Sequence, residues 1–327
     1  MKIYDSILEA IGNTPMVRLN RVTNGIDANI LVKCEYLNPS GSLKDRIALR
    51  MIEESEKAGK LKKGGIVTDA STGNTAIALS FVCAAKGYKS VMHMPKGWVT
   101  NDRLQILKAY DAEVIEVSVG EEIEKELQGK SVHGGVVEMI PRIKCHEMEK
   151  DNPDVWWARQ ALNPNNTKAH RDTTAREIIE QTDGKIDVFI AAVGTAGTLL
   201  GVSEALKELN PSIKIYAVEP ESSSLFKIAP EIHKYLEKYE VPEVEGLIFE
   251  QLAERGIVDD IFLVNDKDAI EMAHRLCQEE GLFCGMSSGA NVHVALRVAK
   301  KYGNGKNIVT ILPDNRYRYF SLEHFTT

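Results

Sequence analysis

The sequence predicts a two-domain α/β protein in which open, mostly parallel sheets are flanked by helices. Its 327 residues exceed the usual length of one domain, which is about 100–200 residues. Apolar residues make up 43% of the chain and charged residues 27%, a balance typical of a globular protein with a buried core. Strand-like and helix-like segments alternate along most of the chain, and this alternation indicates parallel strands with helices on both faces.

The alternation is clear from residue 65 onward. "GIVTDA" (65–70) is a short apolar run with β-branched residues, as expected of a buried strand. "TAIALSFVCAAKG" (75–87) is long enough for a helix, which Gly87 would end. By the same reasoning, strands are expected at 89–95 and 112–118, with a helix at 101–110 between them.

The second half of the chain continues this order. Trp156 and Trp157 begin another strand. Further strands are expected at 188–193, 213–220, 260–266 and 307–314, and helices at 198–209, 267–281 and 291–303. Residues 119–153 are rich in Glu and Lys and are the expected second domain boundary. The irregular stretch 221–257 is expected to form a long loop system near a functional site.

Charge and cysteine usage limit the partners of the protein. The formal net charge is −7 and no Lys/Arg-rich run occurs, which disfavours nucleic acid and anionic membranes as partners. The five cysteines show no C-x-x-C spacing, as expected of reduced thiols in the cytoplasm. No apolar run approaches the ~18 residues of a membrane-spanning helix. A small-molecule partner and a cytoplasmic location are therefore expected.

Several common catalytic motifs are missing from the sequence. It contains no G-x-x-x-x-G-K-[ST], no G-x-G-x-x-G after the first strand and no H-E-x-x-H. These absences disfavour an NTPase and a nicotinamide-dependent dehydrogenase. The eight histidines are dispersed, so no metal site is expected.

Three strands lead into glycine-rich turns that open helices: "ASTGNTA" (70–76), "GTAGT" (194–198) and "GMSSGAN" (285–291). Glycine allows backbone N–H groups to approach a ligand closely. A helix N-terminus adds unpaired donors and partial positive charge, so each turn is a candidate anion site. Each is also compatible with ordinary turn chemistry, but three of them at strand ends in an α/β chain favour a ligand-binding crevice.

A fourth motif, "NPSGSLKDR" (38–46), places Lys44 at an expected helix start. Ser42 and Asp45 have the spacing of a capping box, and the helix would run to about Gly59. The helix dipole disfavours a cation in the first turn. Lys44 is therefore either a solvated lysine beside a capped helix or a Schiff-base lysine with a lowered pKa. These residues alone leave the two readings open.

The same motifs, in this order, resemble the cysteine synthase/cystathionine beta-synthase family of fold-type II pyridoxal-phosphate-dependent enzymes. Further parts of the resemblance are "ILEAIGNTPMVRLNR" (7–21), "ALNPNNTKAH" (161–170) and "ILPDNRYRYFS" (311–321). The resemblance covers almost the whole chain. It implies a tryptophan synthase beta-like fold with a smaller domain at 45–146, a larger domain at 1–44 and 147–327, an active site between them, and a homodimer.

The resemblance also implies residue roles. Lys44 would hold pyridoxal 5'-phosphate as an internal aldimine and act as acid/base at the substrate α-carbon, and Asn74 would bond the ring oxygen of the cofactor. Asn315 falls where the family is expected to have a serine facing the pyridine nitrogen. The cofactor phosphate would be held by Gly194, Thr195, Ala196, Gly197 and Thr198. The substrate carboxylate would be held by Ser71, Thr72, Asn74 and Thr75, with Gln160 as a second contact.

The implied reaction is β-replacement or β-elimination on a serine- or cysteine-type amino acid through an aminoacrylate intermediate. Cysteine synthesis from O-acetylserine or O-phosphoserine and sulfide is the default. The alternatives are a cysteine lyase that releases hydrogen sulfide, a β-substitution synthase that uses an amino-acid amine, and a catalytically idle regulatory homologue. The amine alternative draws on a resemblance of "SVHGGVVEMIPRI" (131–143) to siderophore-type synthases.

The chain departs from the family pattern at Ala76, Ala196 and Asn315, and in the loop "PEVEGLIFE" (242–250). Glu243 and Glu245 in this loop are either solvated or influence the choice of nucleophile. A carboxylate there could activate water or attract an amine, and it would repel HS⁻.

Overall fold

A computed structural model describes residues 3–118, 139–222, 236–237, 240–243, 245–322 and 325. The described strands are β1 (Met16–Arg18), β2 (Asn29–Lys33), β3 (Ile66–Ala70), β4 (Lys89–Pro95), β5 (Glu113–Val117), β6 (Val155–Trp157), β7 (Val188–Ala192), β8 (Lys214–Pro220), β9 (Asp260–Val264) and β10 (Asn307–Ile311). The described α-helices are α1 (Lys44–Lys57), α2 (Asn74–Lys86), α3 (Asn101–Ala109), α4 (Arg142–Asp151), α5 (Pro164–Ala169), α6 (Ala175–Gln181), α7 (Gly197–Leu209), α8 (Ile248–Glu254), α9 (Asp266–Glu280) and α10 (Met286–Tyr302).

The larger sheet has the strand order β1-β2-β10-β7-β8-β9. Only β1 pairs antiparallel, with β2; the other pairs are parallel. Phe189 and Ala191 of β7 pack into one apolar layer, whereas Val188 and Ile190 pack into the layer on the opposite face. Alternation along a strand that is buried on both faces explains why this segment reads as a continuous apolar run.

The smaller sheet has the order β5-β4-β3-β6, and all its pairs are parallel. Its core includes Ile47 and Met51 of α1 and Ile77 and Leu79 of α2. Helix α2 ends at Gly87, which adopts a left-handed conformation with φ of 77°, as the sequence predicts. The expected alternation of strands and helices in mostly parallel sheets is confirmed.

Two local expectations differ from the structure. Helix α10 begins at Met286, five residues before the expected start, because Gly289 lies inside it and packs against the backbone of Ala269 in α9. A side chain at Gly289 would collide with that backbone, so a glycine that resembles a loop residue is in fact a packing residue. The stretch 221–257 also contains a helix, α8.

The expected domain boundary at residue 146 falls inside α4. Strand β6 lies beyond it and nevertheless pairs with β3 of the smaller sheet. The division at 45–146 stays a prediction, and we propose to move its end past β6. No described helix combines the length and apolar character needed to cross a membrane.

Candidate active site

A cavity of about 340 Å³ lies where the carboxyl ends of strands from both sheets meet. Ala70 at the end of β3, Val193 just after β7 and Pro220 at the end of β8 line it, together with Lys44. Ligands of open α/β sheets bind at such strand ends. The cavity is therefore the candidate active site.

Lys44 is the first residue of α1, as predicted, and its backbone N–H donates to the Ser42 hydroxyl at 3.3 Å. The predicted capping box is wrong, because the Asp45 carboxylate turns back to Ser40. It accepts the Ser40 N–H at 2.7 Å and bonds to the Ser40 hydroxyl. Burial raises the pKa of Asp45 to about 6, although the bonds from Ser40 oppose the shift. The Asp45 carboxylate thus accepts from Ser40 in the preceding turn and does not accept the Ser42 N–H of a capping box.

The turn before Lys44 is also held from the other end of the chain. Arg318 donates to the carbonyl oxygens of Ser40 and Gly41, at 2.6 Å each. Gly41 has φ of 91°, and a side chain there would collide with Asn315 and Arg318. A glycine is therefore required at this position, both for its conformation and for the close approach.

A buried ionic cluster fixes α1 to the larger sheet. We call Lys33, Glu35, Arg46 and Glu177 the anchor cluster. Arg46 bonds Glu35 at 2.7 Å through two nitrogens and Glu177 at 2.6 and 2.8 Å. Lys33 bonds Glu177 at 2.7 Å. Burial alone would raise the pKa of Glu35, but Arg46 holds it below its usual range. Each buried charge has a partner, so this cluster positions the helix that carries Lys44.

The loop between β3 and α2 presents the start of a 13-residue helix to the cavity. Ser71, Asn74 and Thr75 line the cavity. Thr72 is buried and is not among the lining residues, and its carbonyl accepts from Arg103 at 3.4 Å. The first N–H groups of α2 have no intrahelical acceptors, so this end can bind a carboxylate.

Gln160 and Asn74 complete this side of the cavity. The Gln160 side chain accepts from the Thr75 hydroxyl at 2.5 Å and donates to the Ala70 carbonyl at 3.2 Å. The Asn74 amide donates to Asp314 at 2.8 Å, while its Oδ1 is buried without a hydrogen-bond partner among the described residues. Asp314 also accepts from the Tyr319 hydroxyl at 2.6 Å. This buried carboxylate therefore orients the Asn74 side chain.

The loop at 194–198 forms the facing wall. Gly194 and Thr195 line the cavity, whereas Ala196, Gly197 and Thr198 do not. Gly197 is the first residue of α7, and a side chain there would collide with Asn166. Ala196 is buried with φ of 67°, a left-handed conformation that costs a non-glycine residue about 1–2 kcal/mol. The loop thus keeps a glycine-type conformation without the glycine.

A buried histidine, His170, contacts the 194–198 loop through the Thr198 hydroxyl. His170 lies 3.1 Å from the Thr198 hydroxyl and 3.0 Å from the Thr174 hydroxyl. Burial lowers the pKa of His170 well below 6.5, and the nearby charges of Lys44 and Arg46 add to this effect. A neutral imidazole can therefore donate to one hydroxyl and accept from the other.

The third glycine-rich turn lies against the C-terminal segment. The Gly285 N–H donates to the Asp314 carbonyl at 2.9 Å, and Cys284 pairs with Asn315 across an isolated bridge. Asn315 is half-buried, and its Oδ1 is shielded without a partner among the described residues. Asn315 is not among the cavity-lining residues.

The two acidic residues expected near the nucleophile do not line the cavity. Glu243 pairs with Arg159, with one bond at 2.8 Å and a second, shorter one. Glu245 is exposed. Val244 between them and residues 131–138 of the stretch 131–143 lie outside the described residues.

The structure adds three charged cavity-lining residues to which the sequence analysis gave no role: Asp69, Arg142 and Arg159. With Glu149 and Glu243 they form what we call the rim cluster. Arg159 pairs with both Glu149 and Glu243 and lies 4.4 Å from the ring centroid of Trp157. The one local signal was Asp69, an acidic residue at the end of an apolar strand. Arg142 lies within the quoted stretch 131–143, but that resemblance assigned it no role, and Arg159 belongs to no motif.

Comparison with known proteins places this geometry in a family. Residues 7–314 match the family described as pyridoxal-phosphate dependent enzymes. A cysteine synthase of Staphylococcus aureus is 41% identical over 322 residues, which is 98% of this chain and 96% of that protein. The chain belongs to the pyridoxal-phosphate dependent enzyme family, and the predicted fold class and cofactor are confirmed.

Solved structures agree with this assignment. A hydrogen sulfide-producing enzyme from Fusobacterium nucleatum is 34% identical with a TM-score of 0.81, covering 98% of this chain and 99% of that one. O-acetylserine sulfhydrylase isoform 3 from Entamoeba histolytica is 34% identical with a TM-score of 0.82, covering 100% and 92%. O-ureido-L-serine synthase is 31% identical with a TM-score of 0.82, covering 99% and 96%.

Proposed function

We propose that this pyridoxal-phosphate dependent enzyme catalyses β-replacement or β-elimination on a serine- or cysteine-type amino acid. Cysteine synthesis from O-acetylserine or O-phosphoserine and sulfide is the default reaction. One observation carries the proposal: Lys44, the start of α2 and the 194–195 turn line a single cavity. A lysine amine, a carboxylate site and a phosphate site are thus available within reach of one small molecule.

The chain has features that fit the cofactor. We propose that Lys44 holds its carbonyl carbon, that residues 194–198 hold its phosphate, and that Asn74 and Asn315 contact its ring. The unpartnered side-chain oxygens of Asn74 and Asn315 support this arrangement. The chemistry that pyridoxal phosphate supplies when bound is the withdrawal of electrons from the amino-acid α-carbon, which makes its proton acidic and allows the β-substituent to leave.

Residues of the chain would bind the substrate and transfer its α-proton. We propose that N–H groups at the start of α2 bind the substrate carboxylate, with Ser71, Thr72, Asn74, Thr75 and Gln160 around it. The Lys44 amine would remove the proton from the α-carbon and later return it. Two structural features prepare these roles: the anchor cluster fixes α1, and the Thr75–Gln160 bond orients a side-chain amide at the cavity wall.

The second substrate separates the default from its alternatives. The Fusobacterium enzyme is described as producing hydrogen sulfide, which supports a cysteine lyase as a second candidate. O-ureido-L-serine synthase supports β-substitution by a nucleophile other than sulfide. The intact Lys44 and Asn74 argue against an idle regulatory homologue. We also propose that the enzyme is cytoplasmic and that it forms a homodimer. Sedimentation analysis of the purified protein would test the homodimer.

The proposal is tested by replacing Lys44 with alanine. Loss of the amine should abolish covalent attachment of the cofactor, seen as loss of its protein-bound visible absorbance. Turnover of O-acetylserine with sulfide should fall by about a thousandfold or more, because both the attachment point and the acid/base group are removed. Lys57→Ala is the matched control, since Lys57 is an exposed lysine at the other end of the same helix.

The wild-type enzyme should then be offered O-acetylserine, O-phosphoserine, serine and cysteine as first substrates. Sulfide, water and amino-acid amines are compared as second substrates. An enzyme that forms no cofactor complex and reacts with none of these amino acids would exclude the proposed function. Rapid hydrogen sulfide release from cysteine alone would favour the lyase.

A further inference from the structure

Arg142 is a buried arginine in the wall of the candidate active site. It begins α4, lines the cavity and is only 4% exposed. Its guanidinium lies 5.3 Å from the Trp157 ring centroid, and Nη2 donates to the Glu243 carbonyl at 2.6 Å. Nη1 is shielded from water and has no hydrogen-bond acceptor among the described residues. The side chain is therefore held in place, while the Nη1 nitrogen and its two N–H groups stay unpaired among the described residues.

The neighbouring arginine, Arg159, is fully paired, so the position beside Trp157 does not by itself leave an arginine without partners. Arg159 lies on the same tryptophan, yet it pairs with two carboxylates, Glu149 and Glu243. Arg142 forms no ion pair with any described residue. Leaving a charged donor buried and unsatisfied costs free energy, commonly more than 1–3 kcal/mol. No contact among the described residues offsets this cost. A ligand anion that accepts a hydrogen bond from Nη1 would offset it.

Asp69, the acidic residue in the same cavity wall, does not bond the unpaired Nη1 of Arg142. Asp69 lines the same cavity, but its carboxylate already accepts from Trp157 Nε1 at 2.9 Å and from the N–H groups of Ala70 and Gln160 at 2.9 and 3.2 Å. Burial lowers the pKa of Arg142, and the charge of Asp69 opposes that shift. The Asp69 charge thus helps to keep Arg142 cationic without occupying its free donor.

We propose that Arg142 binds an oxyanion carried by a small molecule in the cavity, in addition to the substrate carboxylate held at the start of α2. This rests on the proposed function and narrows its substrate class to reactions in which one component bears a second anionic group. That group is a carboxylate or phosphate, because a guanidinium N–H bonds such oxygens strongly. It can belong to the leaving group or to the incoming nucleophile.

Two matched substrate pairs distinguish these sources in Arg142→Gln. O-phosphoserine and O-acetylserine differ by an anionic leaving group. 3-Mercaptopropionate and 2-mercaptoethanol are thiol nucleophiles that differ by a carboxylate. We expect kcat/KM for the anionic member of one pair to fall by about 10- to 100-fold, as for loss of a hydrogen bond to a charged group. The uncharged member should change by less than about threefold, and the affected pair identifies the source.

Controls separate recognition from folding. Arg142→Lys keeps a cation on the same helix and should retain part of the preference for the anionic member. Arg171→Gln removes a cation from an exposed pair with Glu208 and should alter neither pair. Equal losses for both members of both pairs, or no loss at all, would overturn the proposal.

A binding measurement makes the outcome independent of turnover. Calorimetric titration of cofactor-loaded wild-type and Arg142→Gln protein with O-phosphoserine and with 3-mercaptopropionate should show weaker binding of one of them by about tenfold or more in the variant. Unchanged binding of both would overturn the proposal even if the enzyme proved inactive. An enzyme that turns over all four compounds with no Arg142 dependence would leave the proposed function intact while excluding this inference.

Discussion

The anchor cluster and the rim cluster are two groups of charged residues that differ in pairing. Every charged side chain of the anchor cluster has an oppositely charged partner, whereas one arginine of the rim cluster has none among the described residues. In the anchor cluster, two cations pair with two carboxylates, and each charged group has a partner at 2.6–2.7 Å. In the rim cluster, Arg159 takes two carboxylates and Arg142 takes none of those described. A completed ionic network stabilises one arrangement of the fold. An incomplete one at the wall of a cavity leaves a donor for a ligand.

Breaking the anchor cluster should have the largest effect on stability. Glu35→Gln leaves Arg46 and Lys33 with a single carboxylate in a buried site. Removal of one partner of a buried ion pair typically costs about 3–5 kcal/mol. We expect a loss of this size in the free energy of unfolding, measured by urea denaturation.

The same measurement on Arg142→Gln tests the contrast between the clusters. Because the Arg142 guanidinium makes one carbonyl bond and no ion pair with the described residues, its removal should cost less than about 1 kcal/mol, or even stabilise the protein. Comparable losses in the two variants would show that the clusters have the same structural role.

Asp69 gives a prediction about the pH dependence of stability. Burial raises its pKa to about 6, although bonds from Trp157 and two N–H groups oppose the shift. The ordinary aspartate value is 3.8, so folding favours the protonated form. The resulting destabilisation is absent below about pH 4 and is complete above about pH 6. Relative to wild type, Asp69→Asn should therefore gain roughly 2–3 kcal/mol of unfolding free energy between pH 4 and pH 7.

Unfolding in urea at several pH values checks this expectation. The unfolding free energy of Asp45→Asn relative to wild type should also rise with pH, since burial raises the pKa of Asp45 to about 6 as well. Both variants should carry an additional cost that does not vary with pH, because Asp69 accepts three hydrogen bonds and Asp45 accepts two from Ser40. A difference between Asp69→Asn and wild type that stays constant with pH would contradict the prediction.

The contrast between the clusters also explains which features the sequence could predict. The alternation of strands and helices, the helix start at Lys44 and the glycine-rich turns depend on residues close together in the chain. The predicted capping box is wrong because Ser40, which lies outside the Ser42-to-Asp45 spacing of a capping box, donates to the Asp45 carboxylate instead. The rim cluster could not be predicted, since it joins residues 69, 142, 149, 159 and 243, and only folding brings those positions together.

Glu243 provides the smallest and last test. Its carboxylate is about one-third exposed and pairs with Arg159, which lowers its pKa. Its backbone carbonyl, and not its carboxylate, holds Arg142. Both Arg159 and Glu243 have φ of 54°, a left-handed conformation that costs about 1–3 kcal/mol where the surroundings impose it. The loop position therefore matters more for the site than the Glu243 charge.

Glu243→Gln should accordingly lower the free energy of unfolding by less than about 1 kcal/mol, as for other partly exposed ion pairs. If the sequence-based hypothesis of nucleophile choice is right, loss of this charge should raise the rate with sulfide relative to water and amines. The pairing with Arg159 predicts a change of no more than about threefold, because the carboxylate charge is already compensated. Glu245→Gln, at the exposed neighbour, is the matched control. A larger rise with sulfide in Glu243→Gln alone would mean that the charge of the rim cluster acts on the nucleophile even though Glu243 does not line the cavity.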